Sequence, residues 1–153
     1  MSGETAEALF NRALDHHDRE AFDEAINSYK KAIEIDPGLV VAHNNLGMVY
    51  IDKGMFDEAV EALMQTIKLD ENYAEAYNQL GEVAKRSNDF EKARKNYLKA
   101  IEINPNNPDF DLSLAILYQE NKQYEKAIEH YQTYKEKGGT DLRVDDWIRE
   151  CRD

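Results

Sequence analysis

The side chains best suited to chemistry in this chain are its histidines, its single cysteine and its clustered acids. His16, His17 and Asp18 run consecutively, and His43 follows further along. Imidazole and carboxylate groups are the donors that zinc takes. Adjacent residues on a helix point about 100° apart, so His16 and His17 do not converge on one ion. No metal site is expected. The lone Cys151 leaves no intrachain disulfide and no cysteine-built zinc centre. Lys85 and Arg86 read as surface ion-pair partners of Glu82 and Glu120. No phosphate-binding loop, nucleophile motif or paired acid sits on a defined framework, so neither catalysis nor a cofactor is expected.

The charge balance narrows the partner classes. The 153 residues carry 31 acidic and 19 Lys or Arg side chains, a net charge of −12. Nucleic-acid binding needs cations to neutralise phosphates, and an anionic membrane surface makes the same demand. Neither partner is expected. A protein or peptide partner with basic residues remains compatible, although acidic excess also serves solubility alone. The longest apolar runs, such as Leu114 to Tyr118, are far too short to span a bilayer. The first residues, Met-Ser-Gly-Glu-Thr-Ala-Glu, have no basic flank and no apolar core, so a cytoplasmic location is the expectation.

The elements behind these side chains follow a fixed period. Ala25, Ala59, Ala93 and Ala127 are spaced 34 residues apart. Each sits in a similar phrase, beginning at Phe22, Phe56, Phe90 and Tyr124. A period of this length marks stacked helical repeats. With the alanines at place 20, the units run 6–39, 40–73, 74–107 and 108–141. Each splits into a helix A and a helix B around a break near place 15. In the second unit, helix A is expected over Val40 to Asp52 and helix B over Phe56 to Leu69, with Gly54 at the turn. Leu46, Val49 and Tyr50, and then Phe56, Ala59, Val60 and Leu63, keep helical spacing. Pro37 and Pro105 stop two of the B helices.

Place 8 holds Ala13, Gly47, Gly81 and Ala115, so small residues at places 8 and 20 let helices A and B approach closely. Place 17 holds Phe22, Phe56, Phe90 and Tyr124, and place 24 holds Tyr29, Leu63, Tyr97 and Tyr131. These large groups are expected to fill the space between neighbouring units. After Gly138-Gly139, residues 140–153 read as one further amphipathic helix capped by Thr140 or Asp141. Val144, Trp147, Ile148 and Cys151 form its apolar stripe. Arg149 stands where a small residue would be needed to accept another helix B, so this helix is expected to cap the stack.

The pattern resembles the tetratricopeptide repeat, whose units carry Leu at place 7, Gly or Ala at 8, Tyr at 11, Ala at 20, an aromatic at 24, Ala at 27 and Pro at 32. Leu80, Gly81, Ala93, Tyr97, Ala100 and Pro105 supply most of it in the third unit. Arg12 and His16 depart from it in the first, as suits an end unit with one face in water. The resemblance covers residues 6–139. It implies an all-α, right-handed solenoid of four helix-turn-helix pairs with a C-terminal capping helix. It also implies a concave wall made by the A helices, where members mostly bind peptides or proteins.

In the family, places 2, 5, 6, 9, 12 and 13 face that groove. On this chain they give an apolar patch of Phe10, Leu14, Val41, Met48 and Ile51, joined in the fourth unit by Leu112 and Ile116. They also give an amide strip of Asn44, Asn45, Asn78 and Gln79, and an acidic excess that includes Glu82. Amides both donate and accept, so they suit a peptide backbone. The patch suits a large anchor side chain or the apolar face of a helix, and the carboxylates favour a basic ligand. The family's carboxylate clamp is not reproduced. Its two lysine positions hold Phe10 and Glu75, its arginine position Gln79 and its first asparagine position Leu14; only Asn45 fits. The resemblance implies a non-catalytic adaptor that does not bind acidic chaperone tails. The competing expectation is a structural module, weakly homo-oligomeric, that self-associates through the groove or a terminal helix.

Overall fold

A computed structural model describes residues 3–153. Among them are nine α-helices: α1 (Ala6–Asp18), α2 (Phe22–Ile35), α3 (Val40–Asp52), α4 (Phe56–Leu69), α5 (Ala74–Arg86), α6 (Phe90–Ile103), α7 (Pro108–Glu120), α8 (Tyr124–Glu136) and α9 (Val144–Glu150). The first eight fall into four helix-turn-helix pairs that start at the same places of the 34-residue period. Helices α3 and α4 have the bounds that the sequence predicts.

The turn inside each pair has one geometry. Glu20, Gly54, Asn88 and Lys122 occupy place 15, and all four are left-handed, with φ of 57°, 78°, 58° and 59°. In each pair the amide of place 16 donates back to the carbonyl of place 11, as in Ala21 to His16 and Met55 to Tyr50, both 2.8 Å. This is the Schellman arrangement, in which one left-handed residue lets the chain satisfy the last carbonyls of helix A. The N-termini of helices are secured unevenly. Thr5, Asp89 and Asn107 accept backbone amides at α1, α6 and α7, and Pro108 starts α7 where its missing N–H costs nothing.

The chain divides into two compact units, the division falling inside α5 after Gln79. In the first, α1 packs on α2, α2 on α3 and α3 on α4. Ala13, Ala25, Tyr29, Val49, Ala59 and Leu63 are fully buried. In the second, α6 packs on α7, α7 on α8 and α8 on α9, around Ala93, Tyr97, Leu114, Ala127, Tyr131 and Val144. Burying one such large side chain stabilises by about 1.5–3 kcal/mol.

Three expectations need correction. The place-24 side chains fill the space within a pair rather than only between units. Leu63 and Tyr97 lie directly over Gly47 and Gly81 of their own helix A. The last helix is also shorter than residues 140–153, running only from Val144 to Glu150. Neither Thr140 nor Asp141 caps it. The Asp141 carboxylate is engaged two residues on, accepting the Arg143 amide at 3.0 Å and the Arg143 guanidinium, so the chain turns once more before the helix begins. Its apolar stripe is nonetheless buried at Val144, Ile148 and Cys151.

Candidate functional site

Helices α1 and α3 and the first half of α5 carry the expected binding residues of the first unit. Phe10 leans on the buried Tyr29, ring centres 5.7 Å apart. Phe10, Leu14, Val41, Asn45, Met48, Asn78 and Gln79 are all half-buried. They keep some surface for a partner while their stems are held by the core. Two others are not placed as expected. Ile51 is 2% exposed and Asn44 3%. Helix α3 is covered on an unusually wide arc, Val49, Tyr50 and Ile51 being buried in succession, because α2 and α4 both pack against it. Ile51 therefore belongs to the core.

Asn44 is buried without being satisfied. Its Nδ2 finds only Asn45 Oδ1 at 3.5 Å and Met48 Sδ at 3.8 Å, and its Oδ1 has no partner. The Oδ1 of Asn78, one repeat later at the same place, is likewise buried and unpartnered. About nine in ten buried polar groups are bonded, and an orphaned one costs about 1–3 kcal/mol. Another such atom among the described residues is the Tyr29 hydroxyl. Burial pushes its pKa up; Asn45 lies close enough to offset part of this, and Asp18 adds to it, but no group stands in bonding geometry. The other repeats explain why. The Tyr97 hydroxyl donates to Glu82 Oε2 at 3.2 Å, and that of Tyr131 to Gln119 Oε1. The position of Glu82 is taken by Leu14 in the first repeat.

At the end of the same helices His17 Nε2 meets Asp52 Oδ2 at 2.7 Å. His43 is bonded separately, to the Pro37 carbonyl at 3.0 Å.

In the second unit Glu82 is a junction. It accepts from Arg86 Nε at 2.7 Å and pairs with Lys85 Nζ at 3.2 Å. Lys85 also stands 3.9 Å from Glu120. Burial pushes the Glu82 carboxyl up, but Arg86 and Lys85 together outweigh burial and hold it below the usual carboxylate range. Leu112 and Ile116 are half-buried and pack on this unit's core. A further cluster escaped sequence reasoning: Asp111, 2% exposed, accepts from His130 Nδ1 at 3.1 Å and pairs with Lys137. Its members lie at unrelated spacings on α7, on α8 and just beyond α8, so no periodic signal announces it.

The comparisons with known proteins agree on one family. A family model described as tetratricopeptide repeat matches residues 39–106. Two more, described as TPR repeat and tetratricopeptide repeat, match residues 13–54 and 96–129. No curated protein sequence matches significantly. Among solved structures, one of the MamA protein is similar at 29% identity and a TM-score of 0.77, over 98% of this chain and 82% of that one. TTC0263, a thermophilic TPR protein of Thermus thermophilus, is similar at 19% identity and a TM-score of 0.86, over 97% and 82%. The Cut9-Hcn1 hetero-tetramer of the APC/C has a chain similar at 15% identity and a TM-score of 0.85, over 98% of this chain and 30% of that one. The last two likenesses show the fold alone.

Proposed function

Since the chain belongs to the tetratricopeptide repeat family, an adaptor or scaffold role among proteins is its general function, and we propose that it binds an extended segment of a partner protein on the A-helix face of its first unit. The observation that carries this reading is the pair of orphaned oxygens, Asn44 Oδ1 and Asn78 Oδ1, at one place of successive A helices. Each is an acceptor kept from water without a donor. Backbone N–H groups of an extended segment supply such donors, and small side-chain shifts around Met48 admit them. The Tyr29 hydroxyl offers the complementary donor to a backbone carbonyl. Phe10, Leu14, Val41 and Met48 give the segment's apolar side chains somewhere to sit, and Asn45 and Gln79 add amide contacts. The acidic excess favours a segment with basic residues. In the second unit, considered by itself, Glu82, Leu112 and Ile116 hold the corresponding places of their own repeats. No catalytic step is assigned.

The test is calorimetric titration with a peptide selected from a random displayed library. Asn44→Ala with Asn78→Ala, and separately Leu14→Glu with Met48→Glu, are each expected to weaken binding at least about tenfold, a loss of about 1.4 kcal/mol. The asparagine pair should not lower thermal stability, since it removes buried oxygens that have no partner. Equal affinity in the Leu14 and Met48 variant moves the site to another face. A large loss of stability in the asparagine variant makes the amides structural. A wild-type mass that rises with concentration, with no peptide bound, favours self-assembly instead.

A further inference from the structure

A second feature of the first unit is independent of the A-helix face. Helices α2, α3 and α4 line an open cleft of about 810 Å3. Leu46 and Tyr50 lie at its floor, 7% and 5% exposed, and Lys30, Glu34, Glu58 and Glu61 stand around it. The same place in the second unit, two repeats on, is occupied by the protein itself. There His130 stacks on Tyr118, ring centres 5.7 Å apart and planes at 23°. Its Nδ1 bonds to Asp111 at 3.1 Å, and Lys126 Nζ stands 5.5 Å from the Tyr118 ring centre.

In the first unit the counterpart of Tyr118 is Tyr50, but Ala62 replaces His130 and Glu58 replaces Lys126. So the flat nitrogen ring that covers one tyrosine is missing over the other, and the adjoining cation is exchanged for a carboxylate. What stands over Tyr50 is Lys30, whose ammonium is 6.0 Å from the ring centre, at the outer limit of a useful cation–π contact.

We propose that this cleft is a docking site for an arginine side chain of a partner protein, its guanidinium lying on Tyr50 in the place that His130 takes on Tyr118. Arginine suits the site better than lysine because its guanidinium is planar, weakly hydrated and stacks on aromatic faces. Lys30 yields the ring and swings to Glu34, four residues on along α2. Glu58 and Glu61 then neutralise the incoming charge, and the exposed Met64 receives the apolar stem beside it.

The probe is an acetylated, amidated helical peptide with one arginine among alanine and leucine, compared with its uncharged citrulline twin by NMR. The arginine peptide is expected to shift the Tyr50 ring and Met64 methyl signals saturably, and the citrulline peptide to bind about tenfold more weakly. Ala62→His, which supplies the missing ring from within, is expected to abolish those shifts while the protein stays folded. Glu58→Gln with Glu61→Gln should weaken binding about tenfold with Ala62 untouched, and it decides the matter alone where Ala62→His does not fold. Equal binding by the two peptides overturns the proposal. So do undiminished binding by either variant, absence of shifts at Tyr50 and Met64 at millimolar peptide, and shifts confined to the Asn45 and Asn78 amides.

Discussion

A Cβ placed on Gly81 would stand 2.6 Å from both Cδ1 and Cε1 of Tyr97, a ring that is 1% exposed and has nowhere to retreat. Helix propensity alone favours alanine here by about 1 kcal/mol. Overpacking a closed core costs about 1–3 kcal/mol. The first and fourth repeats hold Ala13 and Ala115 at this place, with Tyr29 and Tyr131 at place 24. A methyl group is therefore compatible with the fold, provided that the ring and its helix sit differently. Gly81→Ala is expected to lower the free energy of unfolding by about 1–2 kcal/mol without preventing folding, as measured by urea denaturation. An increase in stability would show that the Tyr97 ring is free to shift.

The left-handed residue between helices A and B gives a prediction of opposite sign. Glycine fits that conformation freely at Gly54, whereas Lys122 holds it at φ 59° with a full side chain. A non-glycine residue is strained there by about 1 kcal/mol. The turn itself needs only backbone, since its bonds are Lys122 amide to Gln119 carbonyl at 2.9 Å and Gln123 amide to Tyr118 carbonyl at 2.8 Å. Lys122→Gly is expected to raise stability by about 0.5–1 kcal/mol, and Gly54→Ala to lower it by about 1 kcal/mol. Denaturant midpoints of the two variants should move in opposite directions. A Lys122→Gly midpoint at or below that of the wild type would mean that the lysine side chain stabilises the turn in some other way.

These two sites show which parts of the fold a sequence reveals. The period of 34 is written in residue types that packing enforces, such as Ala25 and Ala59 between touching helices, so the pairing of helices is legible. The break near place 15 was legible in every repeat, but its left-handed residue was signalled only by Gly54 and by Asn88, the residue type next most tolerant of that conformation. Glu20 and Lys122 adopt the same geometry with nothing in their own chemistry to signal it, because the helices on either side impose it. The proposed binding face was legible as a set of places but not as surface. Ile51 belongs to it by register and is buried because α3 is covered on a wider arc than the period alone conveys. The orphaned oxygens of Asn44 and Asn78 were invisible, since a sequence names an amide and not whether it finds a partner. Asp111, His130 and Lys137 meet only through tertiary packing.

The last prediction concerns Glu82. Arg86 and Lys85 hold its carboxyl below its ordinary value of 4.5 in the folded chain. Between the unfolded and folded pKa values the unfolded state binds more protons, so stability falls as pH falls. The contribution is complete above the unfolded value and is lost as pH drops from about 4.5 through the lower folded value. Asp141, whose bonds from Arg143 lower it from 3.8 to about 2, acts in the same direction but in a lower window. The two windows therefore open at different pH as acid is added, that of Glu82 at about 4.5 and that of Asp141 at about 3.8. Glu82→Gln keeps an acceptor for the Tyr97 hydroxyl while removing the charge. Its melting temperature is expected to lie below that of the wild type at about pH 6, and the difference should shrink as pH is lowered from about 5 towards about 3. A constant difference across that range would show that the Arg86 and Lys85 pairs do not discriminate between the charged and neutral carboxyl.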